Sequence, residues 1–445
     1  MHVDPSIFKA YDIRGIYPEQ LNEEAAEAIG RAFATFLEPR EVVVGRDMRL
    51  SSPAIFEAVV AGLTRQGADV IDLGMVSTDQ YYFACATLDR PGMMVTASHN
   101  PAAYSGFKMV RDMPYLLSGD AGIQDLRGIV ETASYGAAGR RGEVRRIDLS
   151  APFVDKLLGL IDASLLRPLK VVADTANGMV GPILERVYDS LPVELTGMYL
   201  EPDGRLPNHG LDPMQEENRA DLVQRVREEQ ADVGFAFDGD GDRFFVIDDR
   251  GKFVPGDFLT ALLGGYMLER HPGARIIYDV RCSWAVRDFI SSAGGEALVE
   301  RVGHAFIKPR MFEEGAVFAG ELSGHYYFRD FFGADSGILP SLLLLEILSQ
   351  RGKLSRLLAP FESGYFISGE INSEVADPQA KIAELAELYG DGAIENIDGI
   401  SVSFDDWHFN VRPSNTEPLL RLNLEGSSRE TMVAKRDEVL GVIRS

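Results

Sequence analysis

The sequence predicts an α/β protein: three repeated α/β domains with mixed, mainly parallel sheets, plus a smaller C-terminal α+β domain. Three observations carry this prediction. Short β-branched runs alternate with amphipathic segments of helical length, the pattern of βαβ units. The order strand, helix, strand, helix, strand, motif loop, strand occurs three times, which argues for copies of one fold. After about residue 360 the pattern changes to closely spaced strands of antiparallel character. At 445 residues the chain exceeds the size at which a single core keeps growing, so several domains are expected.

In the first copy EVVVGRD (41–47) reads as a strand and SSPAIFEAVVAGLTRQG (51–67) as a helix capped by serine. ADVIDLG (68–74) is the next strand, GMMVTASHNP (92–101) a strand running into a loop, and the aromatic strand GFKMV follows. In the second copy LKVVADTANG (169–178) leads through a helix and VELTGMY (193–199) to ADVGFAFDGDGDR (231–243), then FFVIDD. In the third, ARIIYDVRCS (274–283) leads through a helix and EALVERV (296–302) to AVFAGELSGH (316–325), then YYFRD. The last segment holds GYFISGEINSEV, a helix at 378–389, the run GISVSFDDWHFNVRPSNTEPLLRLNLEG and a closing helix. The expected domains are 1–148, 149–250, 251–360 and 361–445.

Bulk properties narrow the function. With 44 Lys and Arg against 68 Asp and Glu, the formal charge is −24, which repels nucleic acid and anionic membrane over most of the surface. No run approaches the roughly 20 apolar residues of a membrane helix; ILPSLLLLEIL (338–348) is short and carries Pro340 and Glu346. The opening MHVDPSIFKAYDIRG lacks the basic-then-apolar order of a signal peptide. Two cysteines, Cys85 and Cys282, make no disulfide framework and fit a reducing cytoplasm. An acidic protein that handles an anionic small molecule must gather its cations locally, so Arg and Lys in loops become the residues to find.

In every copy a polar, glycine-containing cluster follows a strand at its carboxyl end, where open α/β sheets place their ligands. If those ends face one another, the loops share one cleft. DGDGDR offers Asp238, Asp240 and Asp242 with glycines between; carboxylates so crowded repel one another unless a hard cation such as Mg²⁺ sits among them. Arg243, next in the chain, suits a phosphate or the balancing of those charges. TASHNP sets Ser98 before His99, Asn100 and Pro101, with Lys108 and Arg111 close by. Alone, such a serine is more often a turn residue than a nucleophile, but beside a triple-Asp site it suggests phosphoryl transfer. GELSGH supplies Glu321, Ser323 and His325, an acceptor, a hydroxyl and a titratable ring suited to sugar hydroxyls. RPSNTEP gathers Arg412, Ser414, Asn415 and Thr416, the donors of a phosphate clamp. Arg14 in YDIRG, Arg46 in GRD and His304 in RVGH are further candidates, each individually readable as a surface ion pair or cap.

Together these loops resemble the α-D-phosphohexomutase superfamily, in its phosphomannomutase/phosphoglucomutase branch. The resemblance covers essentially the whole chain and rests on TASHNP, DGDGDR, GELSGH and RPSNTEP in the family's order. It implies a heart-shaped, four-domain molecule around a central cleft; the cytoplasm is the expected compartment, with a monomer or small homo-oligomer as the expected form. It implies that Ser98 carries a phosphoryl group and that Asp238, Asp240 and Asp242 bind Mg²⁺ together with it. A hexose phosphate would be rearranged through a hexose 1,6-bisphosphate, with Glu321 and Ser323 on the sugar hydroxyls. Arg412, Ser414, Asn415 and Thr416 would hold the non-reacting phosphate, and Arg14, Arg243 and His304 lie near the substrate. His99, Lys108 and His325 are the candidates for proton transfer. Two positions depart from the pattern: Arg281 stands where many relatives carry Lys, and Val302 where some carry Thr. Both bear on the choice between mannose and glucose. On the residues alone, an aspartyl phosphatase using Asp238, or a sugar-phosphate-binding module, is the rival reading.

Overall fold

The computed structural model describes residues 3–119, 121–414 and 419–445. The chain forms two compact units, Met1–Val254 with Ser323–Leu354, and Pro255–Leu322 with Ser355–Ser445.

The first unit begins with β1 (Ile13–Ile16), α1 (Glu23–Leu37), β2 (Glu41–Arg46), α2 (Ser52–Arg65), β3 (Asp69–Met75), α3 (Thr78–Leu88), β4 (Gly92–Val95), β5 (Tyr104–Asp112), β6 (Tyr115–Leu116), α4 (Ile123–Thr132) and β7 (Val144–Arg146). Its sheet runs β1-β5-β4-β2-β3-β7. The β4-β2, β2-β3 and β3-β7 pairs are parallel, and β5 lies antiparallel to both β4 and β1. Val42, Val44, Val95 and Phe107 of these strands pack with Ile29, Phe33, Val59 and Leu63 of α1 and α2 in one core. The two helices meet at glycines. A Cβ at Gly30 would lie 2.6 Å from the Val59 carbonyl oxygen, and one at Gly62 would lie 2.2 Å from that of Glu27. The start of α2 differs from expectation: Ser51 makes no side-chain cap, and Ser52 instead donates to Asp47 at 2.5 Å.

A second sheet follows in the same unit. It comprises β8 (Leu169–Asp174), β9 (Val193–Met198), β10 (Val233–Phe237), β11 (Phe244–Ile247) and β12 (Phe253–Val254), in the order β12-β11-β10-β8-β9. Helices α5 (Ser150–Leu158), α6 (Gly181–Tyr188) and α7 (Ala220–Glu229) accompany it. β10 is parallel to β8 and antiparallel to β11, and each of its residues is buried.

The second unit opens with α8 (Gly256–Arg270), β13 (Arg275–Asp279), α9 (Trp284–Ser292), β14 (Glu296–Glu300), α10 (His304–Glu314) and β15 (Phe318–Gly320), in which β13 pairs parallel to both β14 and β15. The chain then returns to the first unit as the hairpin β16 (Tyr326–Phe328) and β17 (Ala334–Asp335), followed by the buried helix α11 (Ile338–Arg351). The second unit closes with β18 (Phe366–Ile367), β19 (Ile371–Glu374), β20 (Ala393–Glu395), β21 (Ile400–Ser403), β22 (Trp407–Pro413) and β23 (Leu419–Gly426). These strands form a wholly antiparallel sheet around Val402, Phe409, Val411, Leu420 and Leu422. The architecture is thus α/β throughout the first three segments, with mixed sheets, and the closing antiparallel sheet packs against its own helices.

Candidate active site

Ser98 follows β4, and Asp238 follows β10 at the carboxyl end of a fully buried strand. Ser98 Oγ donates to Asp238 Oδ2 at 2.7 Å. The serine is 2% exposed and holds the left-handed φ of +48°, a conformation that costs a non-glycine residue about 1–3 kcal/mol and persists only where its surroundings enforce it. Those surroundings are specific. Ser98 N–H donates to Thr96 Oγ1 at 3.0 Å, its carbonyl accepts from Arg49 Nη2 at 2.8 Å, and a Cβ on Gly239 would come within 2.7 Å of that carbonyl oxygen. The turn residue of the opening reading is therefore a strained serine aimed into an acidic cluster.

Asp238, Asp240 and Asp242 are each buried to 1% exposure or less, with ligand oxygens within 4.8 Å of one another. They do not form a solvated turn. Asp240 Oδ2 accepts from Thr78 Oγ1 at 2.7 Å, Thr96 Oγ1 at 3.1 Å and Lys108 Nζ at 2.8 Å, while Lys108 also contacts Asp242 Oδ2. Arg243 Nε lies 3.7 Å from Asp238. Burial, reinforced by the charges of Asp240 and Asp242, pushes the Asp238 carboxyl up to about 7. Asp240 is held low despite its burial, chiefly by Lys108. Among the described residues, the buried oxygens Asp240 Oδ1 and Asp242 Oδ1 have no hydrogen-bond partner. An all-oxygen set with excess negative charge and unpartnered oxygens fits a hard divalent cation, which would supply the missing contacts and reverse the pressure on Asp238.

The proton-transfer candidates differ in state. His99 Nδ1 is 3.4 Å from Ser98 Oγ, and burial, then the charges of Arg243 and Arg14, hold the ring well below its usual range, so it is neutral. Lys108 is raised: Asp240 and Asp242 outweigh the effect of burial and keep it an ammonium. His325 Nδ1 lies 2.8 Å from Asp335 Oδ2 and 3.8 Å from Asp242 Oδ1. The Asp335 carboxylate, an acceptor, fixes the Nδ1–H tautomer and leaves Nε2 as the variable nitrogen. Arg14 Nη1 donates to Asn100 Oδ1 at 2.5 Å, and Arg14 also contacts Asp12. Backbone bonds from Phe244 N–H to Gly324 O at 2.9 Å, and from Gly337 N–H to Gly241 O at 3.2 Å, tie the acidic loop to the segment that carries His325. Arg46 ends β2, and Arg111 is an exposed partner of Asp112.

The second unit assembles a separate cluster. Arg281 makes a bidentate pair with Asp279 through Nε and Nη2, both at 2.9 Å, and its Nη2 is 3.7 Å from Glu321 Oε2. Glu321 also accepts from Gly303 N–H at 3.2 Å, beside His304 at the start of α10. Val302 N–H donates to Asp398 at 3.3 Å. Arg412 lies on β22, and its Nη2 is 3.3 Å from Glu370 Oε2. Ser414 N–H donates to Leu419 O at 2.8 Å, whereas Asn415 and Thr416 lie outside the described residues. Ser323 is half-buried at the start of the Ser323–Leu354 segment.

Four family descriptions match this chain in order. They are phosphoglucomutase/phosphomannomutase alpha/beta/alpha domain I over residues 5–149, domain II over 151–251, domain III over 255–363, and the C-terminal domain over 370–442. The chain belongs to the phosphoglucomutase/phosphomannomutase family. Among relatives, a phosphomannomutase of Salmonella montevideo is 42% identical over 450 residues, covering 98% of this chain and 99% of that one. A protein of Xanthomonas campestris pv. campestris (strain B100) named phosphohexose mutases is 42% identical over 444 residues, covering 98% and 99%. A solved phosphoglucomutase/phosphomannomutase family structure from Burkholderia thailandensis superposes with TM-score 0.91 at 36% identity, covering 99% and 97%.

Several polar residues that brace these clusters, each within its own unit, were not singled out from sequence. Thr78 and Thr96 hold Asp240, Asp335 holds His325, Arg49 holds the serine loop, and Glu370 sits on Arg412. The one available signal was GRDMRLSS (45–52), in which an acid two residues before an arginine and two serines marks a local polar knot; the expectation stopped at Arg46.

Proposed function

We propose that this chain is a phosphomannomutase, interconverting mannose 6-phosphate and mannose 1-phosphate through a phosphoserine and a bound hexose 1,6-bisphosphate, with glucose phosphates as further substrates. The observation that carries the reading is Ser98 itself: strained, buried, and 2.7 Å from a carboxylate of a triple-Asp cluster. Phosphoryl transfer asks little of a protein beyond alignment and charge neutralisation, and this cluster is built for both.

In the proposed cycle a sugar hydroxyl oxygen attacks the phosphorus on Ser98. The bond from phosphorus to Ser98 Oγ breaks, and the hydroxyl proton passes to a base. The resulting bisphosphate returns its other phosphoryl group to Ser98, with the proton moving the opposite way. Asp238, Asp240 and Asp242 would hold Mg²⁺, which would supply positive charge against that of the transferring group. Neutral His99 is competent to accept the proton, while Lys108, an ammonium, and His325, which Asp242 and Asp335 push toward its protonated form against burial, are competent to donate it. Glu321, Ser323 and His304 are assigned to the sugar, Arg14 and Arg243 to the anion near Ser98, and Arg412, Ser414, Asn415 and Thr416 to the non-reacting phosphate. Segments 1–148, 149–250, 251–360 and 361–445 are the proposed modules. The cytoplasm is the proposed compartment, with a monomer or small homo-oligomer as the working form.

The deciding experiment compares turnover of mannose 1-phosphate, glucose 1-phosphate and glucosamine 1-phosphate with a trace of hexose 1,6-bisphosphate. Fastest conversion of the mannose substrate without phosphate release is expected. Steady release of inorganic phosphate would instead favour the aspartyl phosphatase reading. Intact mass should show one phosphate on the wild type and none on Ser98→Ala. Chelation, or Asp240→Asn, is expected to abolish turnover by at least about 10³-fold with the circular dichroism spectrum retained.

A further inference from the structure

Arg49 has no part in the proposed cycle, yet it is the most densely bonded side chain around the serine loop. It is 2% exposed. Its Nη2 donates to the carbonyls of Ser98 at 2.8 Å and Asn100 at 2.6 Å, and its Nη1 to those of Pro101 at 2.7 Å and Tyr104 at 3.1 Å. Nε is 3.2 Å from Asp47 Oδ2, and Arg49 N–H meets Asp47 Oδ1 at 3.0 Å, so one carboxylate aims both the side chain and its backbone. Ser52 Oγ, at 2.5 Å from Asp47 Oδ1, fixes that carboxylate in turn.

The loop needs such a partner. β4 ends at Val95 and β5 starts at Tyr104; between them the Pro101 carbonyl also accepts from Tyr104 N–H at 3.0 Å, but the carbonyl of Ser98 is buried with no sheet ladder to satisfy it, and a buried carbonyl without a donor is costly. A planar fork with donors in fixed directions can serve four carbonyls at once. A lysine ammonium, a point charge with three donors, cannot. One of the four is the carbonyl of Ser98, the residue at φ +48°.

We infer that Arg49 is a positioning residue for the transfer step: its guanidinium gathers the carbonyls of residues 98–104 and holds Ser98 in the left-handed conformation that points Oγ at the acidic cluster. The inference rests on the reading of Ser98 as the phosphoryl carrier. Arg49 touches neither the reacting atoms nor the phosphate groups in this assignment, so its loss should slow chemistry and spare binding.

The test measures phosphorylation of Ser98 by glucose 1,6-bisphosphate in a single turnover, read by intact mass, with KM, kcat and Tm determined alongside. A displacement of about 1 Å at the reacting group is worth about 10²-fold in rate. Arg49→Lys should therefore lower the phosphorylation rate and kcat by about that factor, with KM within about threefold. Guanidinium ion added to Arg49→Ala should restore part of the rate saturably, which a general loss of stability would not allow. If Arg49→Lys does not fold, Asp47→Asn keeps the guanidinium but removes its aim and must show the same split. A phosphorylation rate near wild type in the folded variant, or a loss confined to KM, overturns the proposal. Ser98→Ala separates the two readings: if it still takes up a phosphate, the carrier assignment fails whatever Arg49 does.

Discussion

Three guanidiniums, those of Arg281, Arg412 and Arg421, converge on the Glu370 carboxylate at 3.5, 3.3 and 3.0 Å. Burial alone would raise this carboxyl; Arg281, Arg412 and Arg421 instead hold it at about 2. The carboxylate thus occupies cationic donors that a phosphate would want, and an incoming dianion must compete with it. Glu370→Gln should bind inorganic phosphate on the order of tenfold more tightly, about 1.4 kcal/mol, by calorimetric titration; weaker binding would mean that Glu370 holds the guanidiniums in place. His209 makes a second residue-scale prediction. Its Nε2 faces Asp174 Oδ2 at 3.0 Å and its Nδ1 the Gly210 carbonyl at 2.8 Å. Both partners are acceptors, so the ring is held as an imidazolium. Burial opposes the charge, but the bond to Asp174 and its charge, with Asp221 contributing, raise the group overall. A raised folded-state value gives stability that is complete below about pH 6.5, the unfolded value, and lost as pH rises through the folded one. Tm should therefore fall on going from pH 6 to pH 9, and His209→Gln should flatten that slope.

At the scale of elements, the crossing of α1 and α2 depends on absent side chains. Gly62→Ala places a methyl group 2.2 Å from a backbone oxygen, and the helices must part to admit it, at a cost of about 1–3 kcal/mol. Denaturant titration should show that loss with an unchanged slope. Elements of this kind were legible to different degrees. VGFAF and GMMV read as strands because a strand buried on both faces is a continuous apolar run. Ile13–Ile16 and Val144–Arg146 are edge strands of their sheet carrying arginines, and only their partners β5 and β3 make them strands. The acidic loop was legible from its own chemistry. Thr78 was not, because its partner Asp240 is 162 residues away. Arg49 likewise takes its meaning from carbonyls about fifty residues on, whose positions no local pattern encodes.

Across the whole chain, the formal charge of −24 coexists with tightly held cations at the clusters described above, Lys108, Arg243, Arg281 and Arg412 among them. The acidic remainder disfavours nucleic acid, while the few buried cations suit a small anion. Chain order adds a different consequence. The first unit is discontinuous: after Val254 it resumes only at Ser323 and ends at Leu354. Its last helix, α11, is buried along Ile338–Leu348, with Ser341 bonded to Tyr188 and Glu346 to the Asp162 amide. During synthesis at about 5–20 residues per second, the roughly 100 residues between those points take on the order of 5–20 s. For that interval the nascent unit waits with the apolar surface under α11 open to chaperones, proteases and its own neighbours. A chain stalled after Val254 is expected to pellet in a translation extract, and one released after Leu354 to stay in the supernatant. The slowest event in making this protein would then be the arrival of a helix rather than the closing of a core.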